Sequence, residues 1–272
     1  MRLVSDPNAV RTIIGRDLRA VSRSKAIVLP MVLVPLVLLV LVPAGIGLLA
    51  SNVPTDQIEN ALRSPLLERI AEPILALPQD EQLVVLALGY LLAPLLLVIP
   101  LMVSAVLAAD AFAGEKERRT LEVVLHLPIS DRDLFVAKVL TAFLPAVVIT
   151  WAGAAVYMVI ANLVAWPVTG RVFLPFQQFG VMVLWVAPGM ALLALGLLVV
   201  VSSRARTTQE ANQLGGAVIL PLIFLAAAQA STMLLLPMLG TFGVGVVVWI
   251  AAGALVVVNA RRFTRDRLAA RA

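Results

Sequence analysis

The sequence predicts an all-α, polytopic membrane protein with six transmembrane helices and an N-terminal amphipathic helix in the membrane interface. The chain of 272 residues is 61% hydrophobic and 14% charged, with a mean hydropathy of +1.00, whereas soluble domains carry about 25% charged residues. Its charge-free runs reach the 50 residues of 211–260, and about 20 apolar residues suffice to cross a bilayer. Its basic residues cluster in only a few of the segments between these runs.

Residues 1–25 are predicted to form the interfacial helix. Apolar residues recur there at three- and four-residue spacing, with arginines between them: Val10, Ile13, Ile14, Leu18 and Val21. This pattern is typical of an amphipathic helix at a membrane surface. A solvated basic tail and a secretory signal peptide are the alternatives. The apolar run that follows is longer than the 7–15 residues or so of a signal peptide, which favours a retained segment.

The charge-free runs define the spans. The six spans are predicted at 26–50, 83–109, 139–165, 180–203, 214–236 and 240–260. The last run is divided at Pro237 and Gly240, because proline and glycine commonly interrupt helices. Residues 51–82 form a polar external loop, and a charged segment at 111–138 separates spans two and three. We expect residues 1–272 to form a single transmembrane domain.

The basic residues orient the chain. Six spans place four segments on the same side of the membrane: both termini, the 111–138 segment and the connection between spans four and five. Together these segments carry 18 of the 21 lysines and arginines. Cytoplasmic segments of membrane proteins are rich in lysine and arginine. The sequence therefore predicts a multi-pass protein of the cytoplasmic membrane with both termini in the cytoplasm. The same rule explains the net charge of +5 without nucleic acid as a partner.

No ionisable side chain falls within the predicted spans, whereas ion-coupled carriers usually place such groups in the membrane. A proton-driven carrier is therefore disfavoured, while a sodium site built from carbonyl and hydroxyl oxygens stays open. The polar residues of the spans are neutral, and we expect most of them to form hydrogen bonds between helices. They are Ser104, Thr141, Thr150, Asn162, Gln229, Ser231, Thr232 and Asn259.

The chain offers little for catalysis or cofactor binding. It has no cysteine and a single histidine, His126, too few groups for a metal site or a nucleophilic triad. It also lacks the GxxxxGK[ST] phosphate loop. We therefore expect no catalytic residue, no metal and no cofactor in this chain. If ATP drives the protein, a separate polypeptide supplies the ATPase.

The 111–138 segment combines charge with an apolar face. As a helix, residues 114–127 pair acids with arginines at four-residue spacing, worth about 0.2–0.5 kcal/mol a pair. Leu121, Val124 and Leu125 share one side, which is suited to a membrane surface or a protein partner. Pro128 ends this helix. Ser130, with Asp133 three residues later, has the spacing that caps a new helix leading into span three.

The sequence GEKERRTLEVVLHLPIS, with a lysine at position 138, resembles a motif of the membrane subunits of type-2 ATP-binding-cassette (ABC) exporters. It departs from the family at Arg119, where glycine is usual, and at Val124, where leucine is usual. The matching positions are Glu115, Glu117, Arg118, Thr120, Leu121, Glu122, Val124, Leu125, Pro128, Ile129, Ser130 and Lys138. The specific similarity covers about 25 residues, and the layout of spans resembles the family in outline.

The resemblance implies a permease subunit that moves substrate out of the cell, as a homodimer or heterodimer with two copies of a cytoplasmic ABC ATPase. ATP and magnesium would be bound by that ATPase. The 111–138 segment would be the coupling helix that docks on it, through Glu115, Glu117, Arg118, Thr120, Leu121, Glu122, Val124, Leu125, Pro128 and Ser130.

Two other functions stay open at this point. One is a secondary carrier driven by an ion gradient, and the other is a membrane scaffold that does not transport. The lack of charged groups in the spans favours apolar, amphipathic or weakly charged cargo, such as drugs, lipids or peptides. Sodium-extruding relatives keep a small cation as a further possibility.

Overall fold

The computed structural model describes residues 6–49, 71, 74–111, 129–202 and 207–262, with the backbone alone for 49, 202, 208, 212, 225–235 and 262. Every regular element in these residues is helical. The α-helices are α1 (Pro7–Arg23), α2 (Lys25–Leu36), α3 (Val42–Leu49), α4 (Gln79–Val84), α5 (Val98–Ala109), α6 (Asp131–Thr169), α7 (Gln177–Val181), α8 (Ala187–Ser202), α9 (Thr208–Leu235) and α10 (Met238–Arg262). Three pairs of these helices are joined without a break by turns of π- or 3₁₀-helix. Val37–Leu41 joins α2 to α3, Val85–Leu92 and Ala93–Leu97 join α4 to α5, and Met182–Val186 joins α7 to α8.

Five of these helical stretches are long and apolar enough to cross a membrane. They are Lys25–Leu48, Gln79–Ala109, Asp131–Thr169, Gln177–Val201 and Met238–Arg261. These stretches overlap the predicted spans one to four and six. The prediction of an all-helical protein with several membrane-spanning segments is therefore confirmed. Helix α9, of 28 residues, lies where the fifth span is predicted.

Several predicted boundaries differ from the structure, and those of α6 and α10 have a clear physical reason. Helix α6 has 39 residues and extends beyond 139–165 at both ends, because Ser130 caps its start and Gly170 its end. Gly170 has φ +58°, in the left-handed region that glycine adopts without strain. Gly240 was predicted to break the last helical pair, yet it lies within α10, and the break is at Pro237. The Pro237 carbonyl accepts the amide of Gly240 at 2.7 Å and so starts the helix.

The core of the bundle lies where α5, α6 and α8 meet. Leu101, Tyr157 and Ala194 are each fully buried there. The outward sides of α6 and α10 are apolar instead of polar: Leu163 is 66% exposed and Leu239 83% exposed. An exposed apolar surface of this kind needs lipid or protein to cover it, which agrees with a position in a bilayer.

The neutral polar residues of the spans whose side chains are described bond in different ways, and the side chains of Gln229, Ser231 and Thr232 lie outside the described residues. Ser104 donates a hydrogen bond to the Ala191 carbonyl at 3.2 Å, and Asn259 donates to the Gly196 carbonyl, so these two residues join neighbouring helices as predicted. Thr141 and Thr150 instead donate to carbonyls four residues earlier in their own helix. The prediction is wrong for these threonines, because a hydroxyl on a helix easily reaches the carbonyl one turn back.

The two ends of α6 mark the two ends of the bundle, which we call the Ser130 end and the Gly170 end. At the Gly170 end, Asn162 holds the connection that follows α6. Its Nδ2 donates to the Leu174 carbonyl at 2.8 Å, and its Oδ1 accepts the amides of Phe173 and Leu174 at 2.9 and 3.1 Å. Arg171 also pairs with Glu81, 2.7 Å away.

Candidate functional site

The candidate functional site lies at the Ser130 end, where α6 begins directly after the predicted coupling segment. Ser130 has an extended backbone, and its Oγ accepts the amide of Asp133 at 3.1 Å. A serine at this position satisfies an amide that the helix itself cannot bond. Asp131 and Asp133 occupy the first turn, where negative charge stabilises the helix dipole. The predicted helix cap at Ser130 is confirmed.

Helix α1 packs against this start of α6. Pro7 stands at its first position, and the Asp6 carboxylate accepts the amides of Asn8 and Ala9 at 3.0 and 3.1 Å. This is a typical helix start, with an aspartate cap and a proline that needs no amide partner. The amide of Asp6 donates to Asp133 Oδ2 at 3.2 Å. The two helix starts are therefore bonded to each other.

An apolar contact continues this junction. Val10 and Ile13 of α1 form a buried cluster with Leu134 and Ala137 of α6. Each of the four residues is at most 6% exposed. The apolar side of α1 that was predicted to face the membrane thus contacts protein along its first turns. The placement of this helix in the membrane interface stays a prediction.

One turn further along, a buried ion pair connects the two helices. Lys138 Nζ lies 3.0 Å from Asp17 Oδ2, and the exposed fractions of the two side chains are only 4% and 13%. Arg16 contacts the other carboxylate oxygen of Asp17, with Nε at 2.8 Å. Removing an ammonium group from water is costly unless a partner charge is held close to it. The position of α1 on α6 is therefore strongly specified by charge.

Of the predicted coupling residues, only Ser130 is among those described. The other nine lie outside the described residues: Glu115, Glu117, Arg118, Thr120, Leu121, Glu122, Val124, Leu125 and Pro128. The lysine of the family motif, Lys138, is placed in the ion pair with Asp17. Among the described residues, no group of three or more His, Asp or Glu side chains is placed to hold a metal ion.

Sequence analysis missed Asp17 as a partner of Lys138, although a signal for it exists. Val10, Ile13, Asp17 and Val21 follow one another at three- and four-residue spacing, so the carboxylate falls on the apolar side of α1. A single acid on an otherwise apolar helix side needs a cationic partner from another element. Lys138, next to a predicted span, was a candidate for this partner. The contact between α1 and α6 belongs to the tertiary structure, however, and spacing within one helix does not predict it.

This fold, with its apolar exterior and five potential membrane-crossing helices, is that of a polytopic α-helical membrane protein. Comparison with protein families then gives the particular class. The model for "ABC-2 family transporter protein" matches residues 11–242, most of the chain. The chain belongs to this family, and the resemblance found in the 111–138 segment is confirmed. Neither the curated proteins nor the solved structures contain a match to the chain.

Family membership defines the chain as a membrane permease component of an ABC transporter and not as its ATPase. It also implies an ABC ATPase as a partner, typically in a dimeric assembly. The matched range includes most of α1, the whole 111–138 segment and the start of α6. The charged junction at the Ser130 end therefore lies within the part of the chain that carries the family's pattern.

Proposed function

We propose that the chain is the permease subunit of an ATP-driven exporter in the cytoplasmic membrane. It crosses the membrane six times, with α9 as the fifth span and both termini in the cytoplasm. Two permease copies, identical or paralogous, work with two copies of a cytoplasmic ABC ATPase that bind ATP and magnesium. Closure of the ATPases moves the 111–138 segment, and this movement switches access to a path between the permease copies.

The charged junction at the Ser130 end is the observation that carries this proposal. Only Ile129 separates Pro128, the last predicted coupling residue before it, from Ser130, which caps α6. Helix α6 is 39 residues long, which at 1.5 Å per residue gives about 58 Å. A force applied just before Ser130 therefore acts on the end of a helix long enough to cross the whole bilayer.

The same junction supports a shared movement of α1 and α6. The Lys138–Asp17 pair, the Asp6–Asp133 hydrogen bond and the apolar contact of Val10 and Ile13 join the two helices at three successive levels. Separating them would break a largely buried ion pair and expose the apolar contact to water, which is energetically unfavourable. We therefore expect α1 and the first turns of α6 to move together when the coupling segment moves.

The position of α9 supports a total of six crossings, with α9 as the fifth. Ala211 in its first turn is buried against Ala109 at the end of α5, and the helix is followed by α10 after a break at Pro237. Two small residues in contact allow the helix backbones to approach closely, as is usual between membrane helices. An even number of crossings agrees with the strong clustering of basic residues on one side.

Substitution of Leu121 by aspartate tests the coupling assignment. In the proposal, Leu121, Val124 and Leu125 form the apolar contact with the ATPase, while Glu115, Glu117, Arg118 and Glu122 set its polar alignment. A charge at the centre of an apolar contact carries a large desolvation penalty. We expect L121D to insert normally into the membrane and to lose the ATPase, measured by co-purification in mild detergent.

Leu121→Met is the matched control, because it preserves the size and apolar character of the side chain, and it should retain the ATPase. Monodisperse elution of both variants shows that the fold is intact. If the ATPase still co-purifies with L121D at the normal ratio, the 111–138 segment is not the contact with the ATPase and the coupling assignment is wrong. Transport in proteoliposomes that persists without ATP and stops when an ion gradient is collapsed would instead favour a secondary carrier.

A further inference from the structure

Helix α1 has a second side, which neither the ion pair nor the apolar contact uses. Val10, Ile13, Asp17 and Val21 face the protein, and the side away from them carries three exposed arginines. They are Arg11, Arg19 and Arg23, and we call them the arginine face. At 100° per residue, Arg19 lies opposite Val10, and Arg11 and Arg23 lie on either side of Arg19.

The arginine face is free to bind an anion. Among the described residues, no carboxylate pairs with Arg11, Arg19 or Arg23, whereas Arg16 is engaged with Asp17. These three arginines line an open concavity together with Thr12, Ile14, Gly15, Arg16 and Ala20. A Cβ atom at Gly15 would meet no other atom within 4 Å. The centre of the concavity is thus open, cationic and partly apolar.

The connection of α1 to the next helix places this face at a membrane surface. Only Ser24, with an extended backbone, separates α1 from Lys25, where a stretch able to cross the membrane begins. Arg23 therefore lies within one turn of the point at which the chain enters the bilayer, and Arg11 lies about 18 Å further along the helix. Arg23, and Arg19 one turn before it, are therefore close to the headgroups at that surface.

We propose that the arginine face of α1 binds the phosphate groups of anionic phospholipids in the leaflet next to the Ser130 end. A guanidinium group forms paired hydrogen bonds with a phosphate, and the exposed methyl group of Ala20 suits the less polar glycerol region below it. In the orientation proposed above, this is the cytoplasmic leaflet. The inference does not depend on an ATPase partner, because lipid binding is a property of the permease alone.

The test uses the full-length chain in a non-ionic detergent, titrated with phosphatidylglycerol, with lipid-bound species counted by native mass spectrometry. Phosphatidylcholine of the same chain length is the neutral lipid. We expect R11Q/R19Q to weaken phosphatidylglycerol binding by about 30-fold and to leave phosphatidylcholine binding unchanged. The matched control is R132Q/R261Q, which removes two other exposed arginines and should bind both lipids normally.

A second variant keeps every arginine. Gly15→Glu puts a carboxylate four residues from both Arg11 and Arg19, in open space, and replaces a poor helix former with a better one. It should also reduce phosphatidylglycerol binding without loss of folding. Equal weakening in the R132Q/R261Q control would show a net charge effect and overturn the proposal.

Two further results would also overturn it. If R11Q/R19Q binds phosphatidylglycerol normally but no longer co-purifies with the ATPase, the arginine face is a protein contact. If inorganic phosphate at the same concentration displaces the lipid, the ligand is free phosphate. Failure of this proposal leaves the L121D result untouched, so the two proposals are tested separately.

Discussion

The two ends of the bundle are held by different chemistry. At the Ser130 end, α1 is fixed to α6 by an ion pair whose lysine is only 4% exposed. At the Gly170 end, the connection after α6 is fixed by the neutral amide of Asn162, and the ion pair there has its arginine 58% exposed. The ion pair at the Ser130 end is therefore buried, whereas the arginine of the ion pair at the Gly170 end is open to solvent.

This difference decides what each end tolerates. A buried ion pair contributes little over an apolar pair of the same shape, but the loss of one partner is strongly destabilising. An exposed pair is worth about 0–1 kcal/mol. The Ser130 end therefore favours one arrangement of α1 on α6, as the coupling route that we propose would require. The Gly170 end relies on hydrogen bonds to the backbone, which hold a loop in place without fixing two helices.

The largest expected effect is that of Asp17→Ala. It removes the Asp17 carboxylate from the buried Lys138 ammonium, and we expect a loss of about 3 kcal/mol in the free energy of unfolding. Thermal unfolding of the purified permease, followed by tryptophan fluorescence, measures the loss. The double variant D17A/K138M removes both charges and should recover most of the stability. A double variant as unstable as D17A would show that packing, not charge, holds this end.

The next effect is that of Asn162→Leu at the other end. The Asn162 side chain bonds three backbone groups, namely the amides of Phe173 and Leu174 and the carbonyl of Leu174, and the substitution removes all three bonds. Leu174 is only 1% exposed, so water does not replace these bonds there. Stranded buried backbone groups cost about 1–3 kcal/mol each, so we expect a loss of about 2 kcal/mol or more. Asn162→Asp keeps the acceptor for both amides but has no donor for the Leu174 carbonyl, so its loss should be smaller than that of N162L but not zero. The same unfolding assay ranks the variants, and equal losses would contradict the hydrogen-bond account.

Much of the fold follows from local pattern. The charge-free runs predicted the spans because a bilayer needs about 20 apolar residues, and Ser130 with Asp133 predicted the start of α6 from its capping chemistry alone. Gly240 was misplaced because a glycine in the first turn of a helix is tolerated once Pro237 supplies the starting carbonyl. The π-helical turns at Val37–Leu41 and Met182–Val186 have no signal in the apolar pattern.

The candidate site was only half predictable. The sequence motif identified the 111–138 segment and Lys138, since both are properties of neighbouring residues. The pairing of Lys138 with Asp17 joins positions that are 121 residues apart, and no spacing rule connects them. The contact of Val10 and Ile13 with α6 was missed for the same reason, because an apolar helix side predicts burial but does not identify what covers it.

The smallest effect is expected for the ion pair between Arg171 and Glu81, and its two partners should differ. Arg171 is 58% exposed, whereas the Glu81 side chain is 12% exposed. Glu81→Gln leaves an arginine that water solvates, so we expect a change of less than about 0.5 kcal/mol. Arg171→Gln leaves a largely shielded carboxylate, and the loss should approach about 1 kcal/mol. Thermal unfolding at low and high salt checks both values. Equal effects of the two variants would contradict the role given to the difference in exposure. A loss as large as that of D17A would mean that this end depends on charge as strongly as the Ser130 end does.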